Sequence, residues 1–224
     1  MIDQGIIGNF LGSEAMARIQ PFEEHSVEYE KWFVDNKFVY QSEIMAIRGH
    51  LPKKGRGLEI GVGSGRFAVP LGIAEGLEPS PKMAEVARQR GISVTEGVAE
   101  DLPFADSEFD FLLMVTTICF VDDLDLSFKE AYRVLKETGV LVIGFIDRES
   151  PVGKIYNKFK EHSVFYRMAT FYSVDEVLAS LEKAGFRRFS FSQTVFNELK
   201  KITAPEPTRE GYGEGSFVAI KAEK

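Results

Sequence analysis

The stretch Leu58-Glu-Ile-Gly-Val-Gly-Ser-Gly-Arg-Phe67 constrains the fold of this chain more than any other. Gly57 to Ile60 reads as a short buried strand. Gly61, Gly63 and Gly65 then let the backbone turn sharply and approach a ligand where a Cβ would collide. A helix starting near Gly65 aims free N–H groups and the positive end of its dipole at that ligand. A second apolar segment, Ile73 to Leu77, ends in Glu78. A carboxylate in that place can accept hydrogen bonds from both hydroxyls of a ribose. Together the turn and the acid predict a nucleoside-bearing ligand.

A dinucleotide is one such ligand, but its fingerprint asks for a third glycine at position 66, where it lets the helix pack close to the strand. The chain has Arg66 there, which counts against NAD or FAD. The spacing Gly61-x-Gly63-x-Gly65, with Glu59 inside the first strand and Glu78 closing the second, resembles the class I S-adenosylmethionine (SAM)-dependent methyltransferases. Later segments carry the resemblance on. Val94 to Phe104 is similar to the third strand and the loop along the adenine, and Ser107 to Thr116 to the fourth strand. Ala131 to Ile143 is similar to the helix and fifth strand that follow. Within that family the chain is most similar to the small-molecule enzymes related to ubiquinone and menaquinone biosynthesis methyltransferases.

The resemblance implies an α/β fold: a Rossmann-like, seven-stranded, mostly parallel sheet with an antiparallel last strand, helices on both faces and an N-terminal helical lid. It implies one domain over residues 1–224, with the lid in 1–51, the cofactor core in 55–147 and an insertion with a terminal strand pair in 148–224. SAM is the implied cofactor. Glu59, Gly61, Gly63, Ser64 and Gly65 would meet it from the first turn, Glu78, Pro79 and Met83 from the second, and Val115 from the fourth strand. Many relatives hold the adenine with an Asp at the position of Val98. Here that contact falls to backbone around Val98 and Ala99 or to the Glu100 side chain.

Methyl transfer asks little of a protein beyond alignment and exclusion of water, because the sulfonium donor is already activated. A general base is required only where the acceptor must lose a proton before attack. The implied function is transfer to an oxygen, nitrogen or carbon of a small molecule. A non-catalytic SAM-binding module and an NAD(P)-dependent oxidoreductase are the other readings. Acceptor contacts are expected from Tyr29, Trp32 and Phe33 in the lid, Asp147 beyond the fifth strand, and Tyr156, Tyr166 and Tyr172 in the insertion, where aromatics can cage an apolar or cationic group.

Composition adds exclusions. A net charge of −7 gives no basic footprint for nucleic acid. No apolar run is long enough to span a bilayer, and the start Met1-Ile-Asp-Gln-Gly lacks the basic and apolar regions of a signal peptide. Cys119 is the only cysteine, so no internal disulfide forms and a cytoplasmic location is expected. His25, His50 and His162 are isolated, and no metal site is expected.

Local signals place the remaining elements. Ile2 to Ile19 reads as an amphipathic start broken by Pro21, and Phe22 to Leu51 as one or two helices. The first core helix should span only about two turns, given Pro70 and Gly72. Ser80 is a natural N-cap for Pro81 to Arg90, Asp122 or Asp123 opens the next helix, and Ser173-Val-Asp-Glu176 has the capping-box pattern. Residues 187–196 and 217–221 alternate as strands, joined by a loop of prolines and glycines long enough to be mobile.

Overall fold

The computed structural model describes residues 13–224, with side chains from residue 19 onward, so of the expected amphipathic start at 2–19 the part before residue 13 lies outside the described residues. Three helices come first: α1 (Ser13–Glu24), α2 (Ser26–Asp35) and α3 (Lys37–Arg48). Pro21 lies inside α1 and does not break it. Its carbonyl still accepts from His25 N at 2.9 Å.

The core alternates strands and helices: β1 (Gly57–Ile60), α4 (Ala68–Leu71), β2 (Glu75–Glu78), α5 (Pro81–Gln89), β3 (Ser93–Glu96), β4 (Phe109–Val115), α6 (Leu124–Val134) and β5 (Leu135–Ile146). After it come α7 (Pro151–Phe159), short 3₁₀ turns at Lys160–His162 and Tyr166–Met168, α8 (Val174–Ala184) and β6 (Arg187–Thr194). A further 3₁₀ turn at Leu199–Lys201, β7 (Arg209–Glu210) and β8 (Phe217–Glu223) complete the chain. The caps follow the sequence. Ser80 Oγ accepts from Met83 N at 3.2 Å, Asp123 Oδ1 from Leu126 N at 2.9 Å, and Ser173 with Glu176 closes a full capping box. The first core helix is shorter than expected. It ends after Leu71, where Gly72 turns left-handed at φ 76°.

One sheet of order β3-β2-β1-β4-β5-β8-β6-β7 carries these helices. β1 to β5 run parallel, and β8 inserts antiparallel between β5 and β6. The sheet has eight strands rather than seven because Arg209–Glu210 pairs along the outer edge of β6. That strand is two residues long and charged, which blunts an open edge. The neighbouring loop, expected to be mobile, is tied down by Glu206. Its carboxylate accepts from Phe196 N and Asn197 Nδ2, and its own N–H donates to Ser42 Oγ.

Successive residues of β4, β5 and β8 pack into two different cores. Leu112, Met114, Leu141, Ile143, Val218 and Ile220 face α6 and α8. Leu113, Val115, Val142, Phe217 and Ala219 face a layer that includes α3, α4, α5 and α7. Burial on both sides explains why these strands read as nearly unbroken apolar runs. It also leaves the ends of β1, β2 and β4 as the place where the loops converge, as doubly wound sheets require of a ligand site.

Candidate cofactor and acceptor site

The turn after β1 is stitched to the end of β2. Gly61 N and Val62 N both donate to Leu77 O, at 2.8 and 2.9 Å. One residue on, Gly63 N donates to Glu78 Oε2 at 2.8 Å, and Ser80 N donates to Oε1 at 2.9 Å. Each carboxylate oxygen thus spends one lone pair on the backbone and keeps another. Burial pushes the Glu78 carboxyl up to about 7, against the pull of the Ser80 and Gly63 N–H groups and with a further push from Glu23. Gly61 and Gly63 have φ of 69° and 53°, and a Cβ on Gly61 would lie 2.4 Å from Thr117 Cγ2. A Cβ on Gly63 would lie 3.1 Å from the Tyr29 hydroxyl oxygen, so the lid reaches directly over the turn.

Arg66, the residue that breaks the dinucleotide pattern, has a structural task. Glu30 of α2 accepts from Arg66, Arg90 and the Ser64 hydroxyl, and Arg90 Nη1 also donates to Ser64 O at 2.6 Å. Burial alone would raise the Glu30 carboxyl, but the bonds from Arg90, Ser64 and Arg66 outweigh it and hold it at about 2. The lid is therefore ion-paired to the glycine turn and to the end of α5.

A cavity of about 370 Å³ opens above these strand ends. Of the expected cofactor residues, Gly61, Gly63, Glu78, Pro79, Met83, Val98, Ala99, Glu100 and Val115 lie on its wall. Ser64, Gly65 and Glu59 do not. Ser64 is held by Glu30, and the Cβ position of Gly65 faces Ile92 and Ala87, at 3.4 and 3.7 Å. Glu59 is 1% exposed within β1, its carboxyl raised well above the usual range by burial, and no described residue hydrogen-bonds its Oε2. Glu100 Oε1 accepts from Asp122 N and Asp123 N, which leaves the backbone at Val98 and Ala99 as the freer partner for a base. Thr116, also on the wall, holds a left-handed φ of 51°, an uncommon conformation for a β-branched residue.

Of the expected acceptor residues, Tyr29, Trp32, Phe33, Tyr156 and Tyr166 share this cavity. Tyr172 borders only a separate void of about 30 Å³. Asp147 lies on neither wall: it is 6% exposed, and its Oδ1 accepts from Glu149 N at 3.1 Å in the turn before α7. A residue not singled out from sequence, Glu43, does line the cavity. It sits on the buried stripe Val39, Ser42, Glu43, Ala46, Ile47 of α3, and an acid on an apolar stripe at helical spacing was the signal available for it.

A family model described as a methyltransferase domain matches residues 58–143. Over most of its length the chain is similar to a SAM-dependent methyltransferase of Thermotoga maritima. Their sequences are 53% identical, the match covers 92% of this chain and 99% of that one, and the TM-score is 0.90. The chain belongs to the SAM-dependent methyltransferases. An uncharacterized protein of Methanocaldococcus jannaschii is 49% identical over 91% of this chain and 98% of its own. A ubiquinone/menaquinone biosynthesis C-methyltransferase of Brucella anthropi is 32% identical over 60% of this chain and 64% of its own length. This methyltransferase uses SAM, and the cavity suits that cofactor. It offers a buried carboxylate with lone pairs left beside the turn, glycines where a Cβ would collide, and five acids and no basic side chain among its described lining residues. A sulfonium cation is at home in such a field. Among the described residues no helix is long and apolar enough to cross a membrane.

Proposed function

We propose that this methyltransferase moves the methyl group of SAM to a nucleophilic oxygen, nitrogen or carbon of a small molecule held under the N-terminal lid. The observation that carries the reading is the continuity of one cavity from Glu78 to Trp32, Tyr156 and Tyr166. In this reading Glu78 accepts both ribose hydroxyls. The turn at Gly61 and Gly63 faces the amino-acid end of the cofactor. Pro79, Met83, Val98 and Ala99 enclose the adenine, and Val115 borders the chamber beside it. Glu59 acts from beneath the turn. Bound SAM supplies an activated methyl group. The protein holds the acceptor in line with it and keeps water out, which is the task of a closed aromatic lid. Tyr29 is suited to this. Burial, then the charges of Glu78, Glu59 and Glu30, push its hydroxyl far above the usual range, so it stays a neutral donor beside the turn.

An acceptor nitrogen has one further support, since the T. maritima relative is described as a possible histamine N-methyltransferase. Turnover of methyl-labelled SAM with sets of amines, phenols and quinone precursors tests the reading. Label transferred to one of these sets, and lost in a Glu78→Ala variant, is the expected result. SAM that binds but is never turned over with any small molecule would contradict it.

A further inference from the structure

The stripe that α3 turns inward is satisfied everywhere except at one place. Val39, Ala46 and Ile47 pack into the core, and Ser42 both donates to Phe38 O at 2.7 Å and accepts from Glu206 N at 2.8 Å. Glu43 is only 3% exposed, yet no described residue donates a hydrogen bond to its carboxyl or pairs with it. Burying an acid without a partner costs stability that a leucine or methionine at the same position would not lose. Its side chain borders the cavity, so among the described surroundings the place left for a partner is the cavity itself.

The surroundings of Glu43 narrow that partner. Tyr156 and Tyr166 share the wall with it, their rings stacked at 4.9 Å and 29°. Burial first, and the Glu43 charge after it, raise the Tyr156 phenol to about 12, and burial, then Tyr156 and Cys119 and after them Glu43, hold Tyr166 well above its usual range. Tyr40, on the same helix, is also raised, first by burial, and its hydroxyl donates to Arg66 O instead. None of these groups carries a positive charge, and no Lys, Arg or His lines the cavity among the described residues. A carboxylate beside neutral aromatic rings is the chemistry that holds an ammonium ion, through an ion pair on one side and ring faces on the other.

We propose that Glu43 binds the methyl acceptor and that this acceptor is a small amine, which enters as its ammonium ion and gives Glu43 the proton that must leave before attack. The proposal rests on the methyl-transfer reading above and names its substrate class. In the step, an ammonium proton passes to the Glu43 carboxylate. The freed nitrogen lone pair forms the new N–C bond as the methyl–sulfur bond breaks, with its electron pair leaving on sulfur. The N-methylammonium product and the thioether depart, and Glu43 returns its proton to water. Burial lifts the empty Glu43 carboxyl to about 8, so below that pH an ammonium ion must displace a proton to bind. Amine affinity then rises with pH, by up to about tenfold per unit, and levels off above about pH 8.

Calorimetry on the protein saturated with S-adenosylhomocysteine tests this, with histamine and 2-phenylethylamine as cations and 2-phenylethanol and phenylacetate as neutral and anionic isosteres. The wild type should bind the amines at least about tenfold more tightly than the isosteres, with the pH dependence given. The near-isosteric Glu43→Gln should melt no lower than the wild type and keep its S-adenosylhomocysteine affinity. It should lose at least about tenfold in amine affinity and show none of the pH dependence. Amines that bind no better than the alcohol, or amine binding unchanged in Glu43→Gln, would overturn the proposal while methyl transfer stands. A loss of S-adenosylhomocysteine affinity in Glu43→Gln would overturn it too, by assigning the carboxylate to the cofactor. A wild type that binds no S-adenosylhomocysteine would overturn the methyl-transfer reading itself.

Discussion

Replacing Glu30 by alanine should both destabilise the protein and free the lid. The Glu30 side chain is 25% exposed, and those of Arg66 and Arg90 are 27% and 29% exposed, so the cluster is shielded without being dry. Holding the carboxyl at about 2 rather than its ordinary 4.5 corresponds to about 3 kcal/mol, at about 1.36 kcal/mol per pH unit. Screening through the exposed quarter, and water regained by the two arginines in the variant, reduce the expected loss to about 2 kcal/mol. For a chain of this size that is a fall in Tm of about 4–8 °C. Because the folded carboxyl is depressed, the stabilisation is complete above about pH 4.5 and disappears as the pH falls toward about 2. Urea titrations of wild type and Glu30→Ala should therefore give a difference of about 2 kcal/mol near neutrality that shrinks toward zero in acid. Subtracting the variant cancels the other titrating carboxylates. A difference that is absent at neutral pH, or constant down to about pH 2, would refute the clamp.

Three further outcomes follow from the same geometry. Gly63→Ala puts a Cβ on a residue with φ 53° and 3.1 Å from the Tyr29 hydroxyl oxygen, so SAM affinity should fall at least about tenfold by calorimetry while the circular dichroism spectrum stays that of the wild type. The Glu78 carboxyl, raised to about 7, must ionise to accept a ribose diol, so SAM affinity should be flat above about pH 7 and fall by up to about tenfold per unit below it, whereas Glu78→Gln should lack that slope. Trp32 is the chain's only tryptophan and lies on the cavity wall, so S-adenosylhomocysteine should change its emission and slow amide exchange across residues 22–35; a silent tryptophan with unchanged exchange would show that these aromatics only pack the core.

The parts of this structure that could be read from sequence are those where one residue type has one physical reason to be where it is. Ser80, Asp123 and Ser173 cap helices because a short oxygen-bearing side chain is what an open helix start needs. Gly61 and Glu78 could be read because a sharp turn and an acid at a strand end face each other. The role of Ser64 could not, since its hydroxyl answers to Glu30, which lies 34 residues away in the chain. Glu43 was hidden for a related reason. In α3 the local pattern prescribes an apolar residue there, and it takes the fold to show that this acid borders the cavity. Asp147 misled in the opposite way, because an acid after β5 serves the turn into α7 as readily as a substrate. The two-residue β7 carries no pattern of its own and forms because the edge of β6 is open.

The account stands most directly on the carboxylate that joins the glycine turn to β2. Calorimetric titration of SAM into wild type, Glu78→Gln and Glu78→Ala measures it. Glu78 offers its remaining lone pairs to two ribose hydroxyls through charge-assisted bonds, each contributing about 1.5–3 kcal/mol. One SAM should bind the wild type. Glu78→Ala should weaken binding by at least about tenfold, with Glu78→Gln between the two. All three proteins binding SAM equally well would place the cofactor elsewhere and contradict the site.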